Sequence, residues 1–395
     1  MKKRLLVYAG MAFVCLTVLA VGFGVMMISF APERTTPQSL AALTDKLRVY
    51  DDTHIQKVTV SPLPSGSASI CGEAETVTYG PAITTTPENS GLKSWSVRTL
   101  TMGENGLWIG YAKGDDPNGV GVSHYDGKLW RFCGQMPNVN SIALDEQGNP
   151  WVGTDGLLVG TIPAPQKSLM HFENGVWVDY TSKLRDYRVR SVTFYRGILY
   201  VSTPFGLVEF DGNEWTISLS ADLTSVLAND SSINSIAFTH GEMWLGTDRR
   251  VIRILVDGSY QIFGGPALVD SPVLGGDKIR KITVSPSDDQ VWIAADPGDL
   301  AVYSYSTNEW TRYAIPRTRG VNDVEFDSAG RPCVATTDYG SGGVYCLDNG
   351  VWKNLVGAPT YTIAFGCDGC VFPRDELFAG TANNALIVGK ALPHR

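Results

Sequence analysis

Residues 139–156 read VNSIALDEQGNPWVGTDG and residues 169–180 read LMHFENGVWVDY. The first stretch has a β-rich run, a polar turn with Gly148, and a second run centred on Trp151 that ends in small residues. The second stretch has a third short run, then a turn and an aromatic, Trp177. The whole is a four-stranded unit with a tryptophan in its second and fourth strands.

The unit recurs. VRSVTFYRGILYVSTPFG (189–206) is followed by LVEFDGNEWTIS, and INSIAFTHGEMWLGTD (233–248) by VIRILVDGSYQIF. The second-strand anchors are Trp108, Trp151, Tyr200, Trp244, Trp292, Cys333 and Phe378, spaced by 43, 49, 44, 48, 41 and 45 residues. Outer-strand anchors follow at Trp130, Trp177, Trp215, Tyr260, Trp310 and Trp352. Four short strands per ~40–50 residues is the signature of a β-propeller, whose blades bury both faces against their neighbours. The expected fold is an all-β seven-bladed propeller over residues 71–390, with 391–395 as a tail. The last unit supplies three strands, so an N-terminal strand, read here as Glu75–Tyr79 (ETVTY), is expected to complete blade seven and close the ring.

The units resemble the two-component regulator propeller repeats in the exported sensor segments of bacterial hybrid sensor kinases. The resemblance rests on VRSV or VNSI, a D-x-x-G-type turn and W-V-G-T-D at Trp151–Asp155, and covers about 300 residues. It implies an exported propeller. Those sensors continue past the propeller into a membrane span and a kinase, whereas here the apolar segment comes first. The expectation is a chain without its own output domain, whose message a partner must carry.

Residues 5–31 carry no charge and directly follow Met1, Lys2, Lys3 and Arg4. At ~20 residues per bilayer crossing this is long enough to span, and it exceeds the ~7–15-residue core of a signal peptide. It reads as a transmembrane signal anchor with 1–4 cytoplasmic and the rest extracytoplasmic. Secretion after signal cleavage is the alternative, but a cut after Ala20 leaves ten apolar residues, and one after Ala31 meets Pro32. Residues 32–70 read as a stalk, in which Thr36 caps a short helix opening with Pro37, and SPLPSGSAS (61–69) reads as a loop.

The chain has 395 residues, 44% hydrophobic, with a net charge of −8. That balance argues against a nucleic-acid partner, which needs a basic face. Histidines are few. His124 and His171 both precede the third-strand aromatic, where Glu209, Arg253 and Cys346 stand in other units, so they read as a variable repeat position rather than a catalytic or metal pair. His240 reads as a solvated turn residue. No catalytic residue, metal or cofactor is assigned. Asp115, Asp116, Asn118 and Gly119 lack the spacing of a calcium loop.

Outside the span there are six cysteines. Cys333 and Cys346 flank a hairpin symmetrically and are expected to be bonded. Cys367 and Cys370 bracket Asp368-Gly369 and suit a local bridge, leaving Cys71 and Cys133.

Loops from second to third strands, and from outer strands to the next blade, converge on one end of a propeller. There lie Lys113, Asp115, Asp155, Arg185, Arg188, Asp248, Arg249, Arg250, Asp296, Arg317, Arg319, Asp338 and Tyr339. Lys113, Asp115, Asp155, Asp248, Arg249, Arg250, Asp296, Asp338 and Tyr339 are the candidate ligand-binding set. Arg98, Asn140, Arg190, Asn234, Arg280 and Asn322 alternate at the starts of the innermost strands and are expected to brace neighbouring blades. The functional expectation is a membrane-anchored module that binds another membrane or extracytoplasmic protein, or a glycan, as an accessory subunit or sensor component. A propeller enzyme of lyase or quinoprotein type and an architectural spacer are the alternatives.

Overall fold

The computed structural model describes residues 74–393 apart from 76–83, 89, 113–119, 157–166, 185–187, 205, 220, 228–231, 265–277, 288, 298–299, 317, 319 and 339–341. The anchor at 5–31, the stalk at 32–70, Cys71, Lys113, Asp115 and Tyr339 lie outside the described residues. Among the described residues no helix is long and apolar enough to cross a membrane.

The described strands form seven antiparallel sheets. The innermost strands are Val97–Gly103, Val139–Leu144, Ser191–Tyr195, Ile233–Thr239, Lys278–Val284, Val321–Phe326 and Thr360–Phe365. Within each sheet consecutive strands pair outward in chain order, the simplest path for short strands joined by tight turns. The turns follow the sequence chemistry. Asp145 accepts the N–H groups of Gln147 and Asn149 at 3.0 and 2.7 Å. Asp327 does the same for Ala329 and Arg331, both at 2.9 Å.

The ring is closed by an N-terminal strand, but not the expected one. Thr84–Thr85 pairs with Leu386 and Ile387 on the outer edge of blade seven. Glu75 instead pairs with Trp130, so Ala74–Glu75 is a fifth strand on blade one. The reach from an outer strand to the next innermost strand explains the difference. A strand ending at Thr85 leaves 11 residues before Val97, matching the 11 between Asp179 and Ser191, whereas one ending at Tyr79 leaves more than any other blade junction uses.

The core consists of seven apolar clusters, each lying between adjacent blades. Every second-strand anchor faces the following blade: Trp108 packs with Val139 and Ile142, Trp151 with Val189 and Val192, and Phe378 with Val97 and Leu100. Most outer-strand anchors face back and complete the preceding interface; Trp130 is 1% exposed there. Tyr260 departs from that expectation. It is 36% exposed, and Ile262, two residues on along the same face of the strand, packs on that interface instead. The helix Ala221–Leu227 lies in the connection to blade four and buries Leu223 and Leu227 in the same cluster.

The small residue two places after the anchor has a steric cause. A Cβ on Gly110, Gly153, Gly246 or Gly380 would approach Val139, Val189, Ile279 or Val97 to between 2.4 and 2.6 Å. The next blade comes too close there for a side chain.

Candidate functional site

In six innermost strands the pairing with the second strand slips near the start, between Val97 and Thr99, Val139 and Ser141, Ile233 and Ser235, Ile279 and Lys281, Val321 and Asp323, and Thr360 and Thr362. Each slip is a β-bulge, which re-aims one side chain. The extra residues are Arg98, Asn140, Asn234, Arg280, Asn322 and Tyr361. In blade three Arg190 holds the equivalent place just before Ser191, its N–H bonded to Ser202 O at 3.1 Å. All seven line one cavity of about 620 Å³ along the innermost strands. The Arg/Asn alternation is legible in the sequence, whereas the bulge that turns it toward the channel, and Tyr361 as its seventh member, are not.

Around this ring the charges are largely paired. Asp155 accepts from Asn138 at 2.8 Å, Asn140 at 2.9 Å and Arg190 at 3.0 Å. Asp248 accepts from Asn234 at 2.9 Å and pairs with Lys278 at 2.8 Å. Asp296 pairs with Arg280. Asn140 also donates to Val189 O of the next blade at 2.8 Å, and Asn322 donates to Thr337 Oγ1 and to Thr360 O of the next blade at 2.9 and 3.1 Å. The expected bracing is therefore real for Asn140, Asn322 and Arg190.

Arg98 differs. Its guanidinium donates no hydrogen bond to any described residue. Burial draws its pKa down; Asp155 works against this, while Arg190 and Arg280 lower it further and Tyr361 raises it. Three arginines thus share one field at the channel mouth. Farther along the channel, Lys281 lies 3.1 Å from Glu325 and 3.9 Å from Asp323 of the next blade. Enclosure opposes its charge, but Glu325 and then Asp323 outweigh that and raise its pKa.

Of the candidate binding residues, Asp155, Asp248 and Asp296 come together at the ring, engaged in the pairs above. Arg249 stands exposed on the turn after blade four's second strand, its N–H bonded to Thr247 Oγ1 at 3.2 Å. Arg250, half-buried, is held through its N–H to the same oxygen at 3.0 Å. Asp338 is half-buried beside Thr337.

His124 and His171 sit on separate blades, opposite Trp108 and Trp151 in register. Glu209, Arg253 and Cys346 hold the same place opposite Tyr200, Trp244 and Cys333. His171 stacks on Trp151 at 4.0 Å and bonds Asp145 at 3.1 Å. His124 is fully buried with neither ring nitrogen bonded, and burial lowers its pKa to about 4. His240 caps its turn at positive φ and meets Asp289 at 3.2 Å. Among the described residues no group of His, Cys, Asp or Glu could hold a metal ion. Cys333 is bonded to Cys346 and Cys367 to Cys370. Cys133 is also disulfide-bonded.

No family model matches the chain, and no curated protein sequence matches it. Solved structures do share its fold. It is similar to the extracellular domain of BT3049, a B. thetaiotaomicron protein described as a hybrid two-component system, with a TM-score of 0.58 and 15% identity over 81% of this chain and 42% of that one. The corresponding domain of BT4673 from the same organism gives 0.57 and 14% over 82% and 40%. The chain thus spans about two fifths of these structures. A streptogramin B lyase gives 0.55 and 15% over 80% and 96%, and YCF48 bound to a D1 peptide gives 0.51 and 13% over 81% and 95%. At these identities the likeness is one of fold, and in that sense the resemblance to extracellular sensor propellers holds.

Proposed function

We propose that this chain is an extracytoplasmic binding module, tethered to the membrane through residues 5–31, that takes a protein or glycan ligand at the channel-mouth end of the ring and relays the event through a partner protein. The observation that carries this reading is the bulge in the innermost strands. Seven blades bring seven polar or aromatic side chains to one end of one channel, an arrangement that core packing does not require. The extracellular propellers of the B. thetaiotaomicron sensors and the peptide-bound YCF48 propeller lend it support by their architecture. The rim contributes Arg249 and Asp338, with Asp155, Asp248 and Asp296 holding the ring in shape from behind.

The test uses the full-length chain in its own membrane with a photo-crosslinking residue at Arg249 or, on the opposite end, at Gln147, both exposed turn positions. The expected result is a discrete adduct, protein or glycan, at Arg249 with none at Gln147. An adduct confined to Gln147 assigns the working face to the other end and defeats the proposal.

A further inference from the structure

The ring at the channel mouth leaves a defined set of polar groups unused. Arg190 is bound to Asp155 through Nη1, but its Nε is buried without a partner. The Arg98 guanidinium and the Tyr361 hydroxyl, on the adjoining blades one and seven, donate to no described residue, and Tyr361 is 37% exposed. Asn234 and Asn322 each spend their amide N–H on the protein and leave the amide oxygen without a donor among the described residues. One side of the mouth therefore presents cationic and hydroxyl donors, and the blades of Asn234 and Asn322 present acceptors. Leaving the buried Arg190 N–H unpaired is costly unless something else pairs with it, while the half-buried Arg98 guanidinium faces the cavity and is open to a ligand.

We propose that the channel mouth binds a carboxylate of a peptide segment, an acidic side chain or a free C-terminus, with Arg98 as the pairing residue, Tyr361 as a second donor, and the Asn234 and Asn322 amide oxygens taking peptide N–H groups. Arg98 matches a carboxylate because its planar fork donates two parallel hydrogen bonds. A single unpaired guanidinium suits one carboxylate rather than a polyanion. The pKa of Arg98 is lowered by burial even though Asp155 acts to raise it, with Arg190 and Arg280 lowering it further, so an added anion would favour its charged form. The inference rests on the proposed function only for the choice of this end of the ring.

The experiment immobilises the full-length chain in detergent and captures from two random pentapeptide pools, one with free and one with amidated C-termini, and from an array of neutral and uronate oligosaccharides. Acid-rich peptides, or free over amidated C-termini, should be enriched. Arg98→Gln should lower that capture roughly tenfold or more, as expected for losing a charge-assisted pair, with the melting temperature unchanged. Arg98→Lys should restore part of it. Enrichment indifferent to carboxylates, capture that persists in Arg98→Gln, no peptide capture at all, or retention of uronate glycans alone would each overturn the proposal. Loss of carboxylate capture with the Arg249 adduct intact overturns the inference and leaves the binding face standing, whereas loss of that adduct with Arg98-dependent capture intact removes the rim contact and the proposed macromolecular partner but keeps the channel-mouth site.

Discussion

Gly153 offers a direct test of how the blades are spaced. A Cβ there would lie 2.4 Å from Val189 Cγ1, 3.1 Å from Val189 Cβ and 3.4 Å from Val192 Cγ1. Apolar carbons rest ~3.5–4.0 Å apart, so Gly153→Ala forces the innermost strand of blade three outward by ~1 Å or twists Val189 off its rotamer. Overpacking of this kind costs ~1–3 kcal/mol. At ~2.1 cal/mol/K per residue, the roughly 320 residues of the ring unfold with ~0.7 kcal/mol/K, so the melting temperature should fall by ~1.5–4.5 °C. Scanning calorimetry on Gly153→Ala, Val189→Ala and the double variant reads this directly. The double variant should be more stable than the sum of the two single losses, because trimming Val189 makes room for the new methyl. An unchanged melting temperature in Gly153→Ala, or strict additivity in the cycle, would refute the argument that the next blade's approach dictates glycine here.

Two further outcomes follow from buried polar groups. His124 titrates near 4 in the fold against ~6.5 when unfolded, so its contribution to stability is complete above pH ~6.5 and is lost as pH falls toward 4, reaching about 3 kcal/mol. His124→Phe, which keeps a ring against Trp108, should flatten the dependence of melting temperature on pH between 6.5 and 4, and an unchanged slope would show that other groups set it. Arg253 bonds Glu242 through Nε and Nη2 at 2.6 and 3.0 Å and lies over the rings of Trp244, Tyr303 and Tyr305. Arg253→Ala should cost ~3–5 kcal/mol in urea unfolding by leaving a buried carboxylate without its counter-charge and with the Tyr305 hydroxyl as its remaining donor, and adding Glu242→Gln should recover part of that loss.

Much of this molecule is determined by its sequence alone, because a repeated anchor is a local signal. The tryptophans at Trp108, Trp151, Trp244 and Trp292, followed by small residues, mark strands that must bury one face against a neighbour, and seven such marks mean seven blades. The Cys333–Cys346 pairing was legible for the same reason, since hairpin register is a short-range property. Closure was legible in kind but not in place. The outer strand of the last blade is two residues long, Thr84–Thr85, and its partner is 300 residues away in the chain, so alternation at Glu75–Tyr79 was a stronger signal than the true strand.

The channel mouth belongs to the tertiary structure. A bulge leaves no mark in composition, because it is a one-residue slip against a partner strand, and that slip alone decides whether Arg98 braces a blade or faces the channel. Ring geometry likewise decided the fate of the aspartates. From sequence, Asp155, Asp248 and Asp296 are free carboxylates at strand ends; the convergence of neighbouring blades sets the first two against Arg190 and Lys278, and hairpin pairing within blade five sets Asp296 against Arg280. In the ring, Arg98 is left without a hydrogen-bond partner among the described residues, while Asp155, whose charge acts on it, is engaged by Arg190.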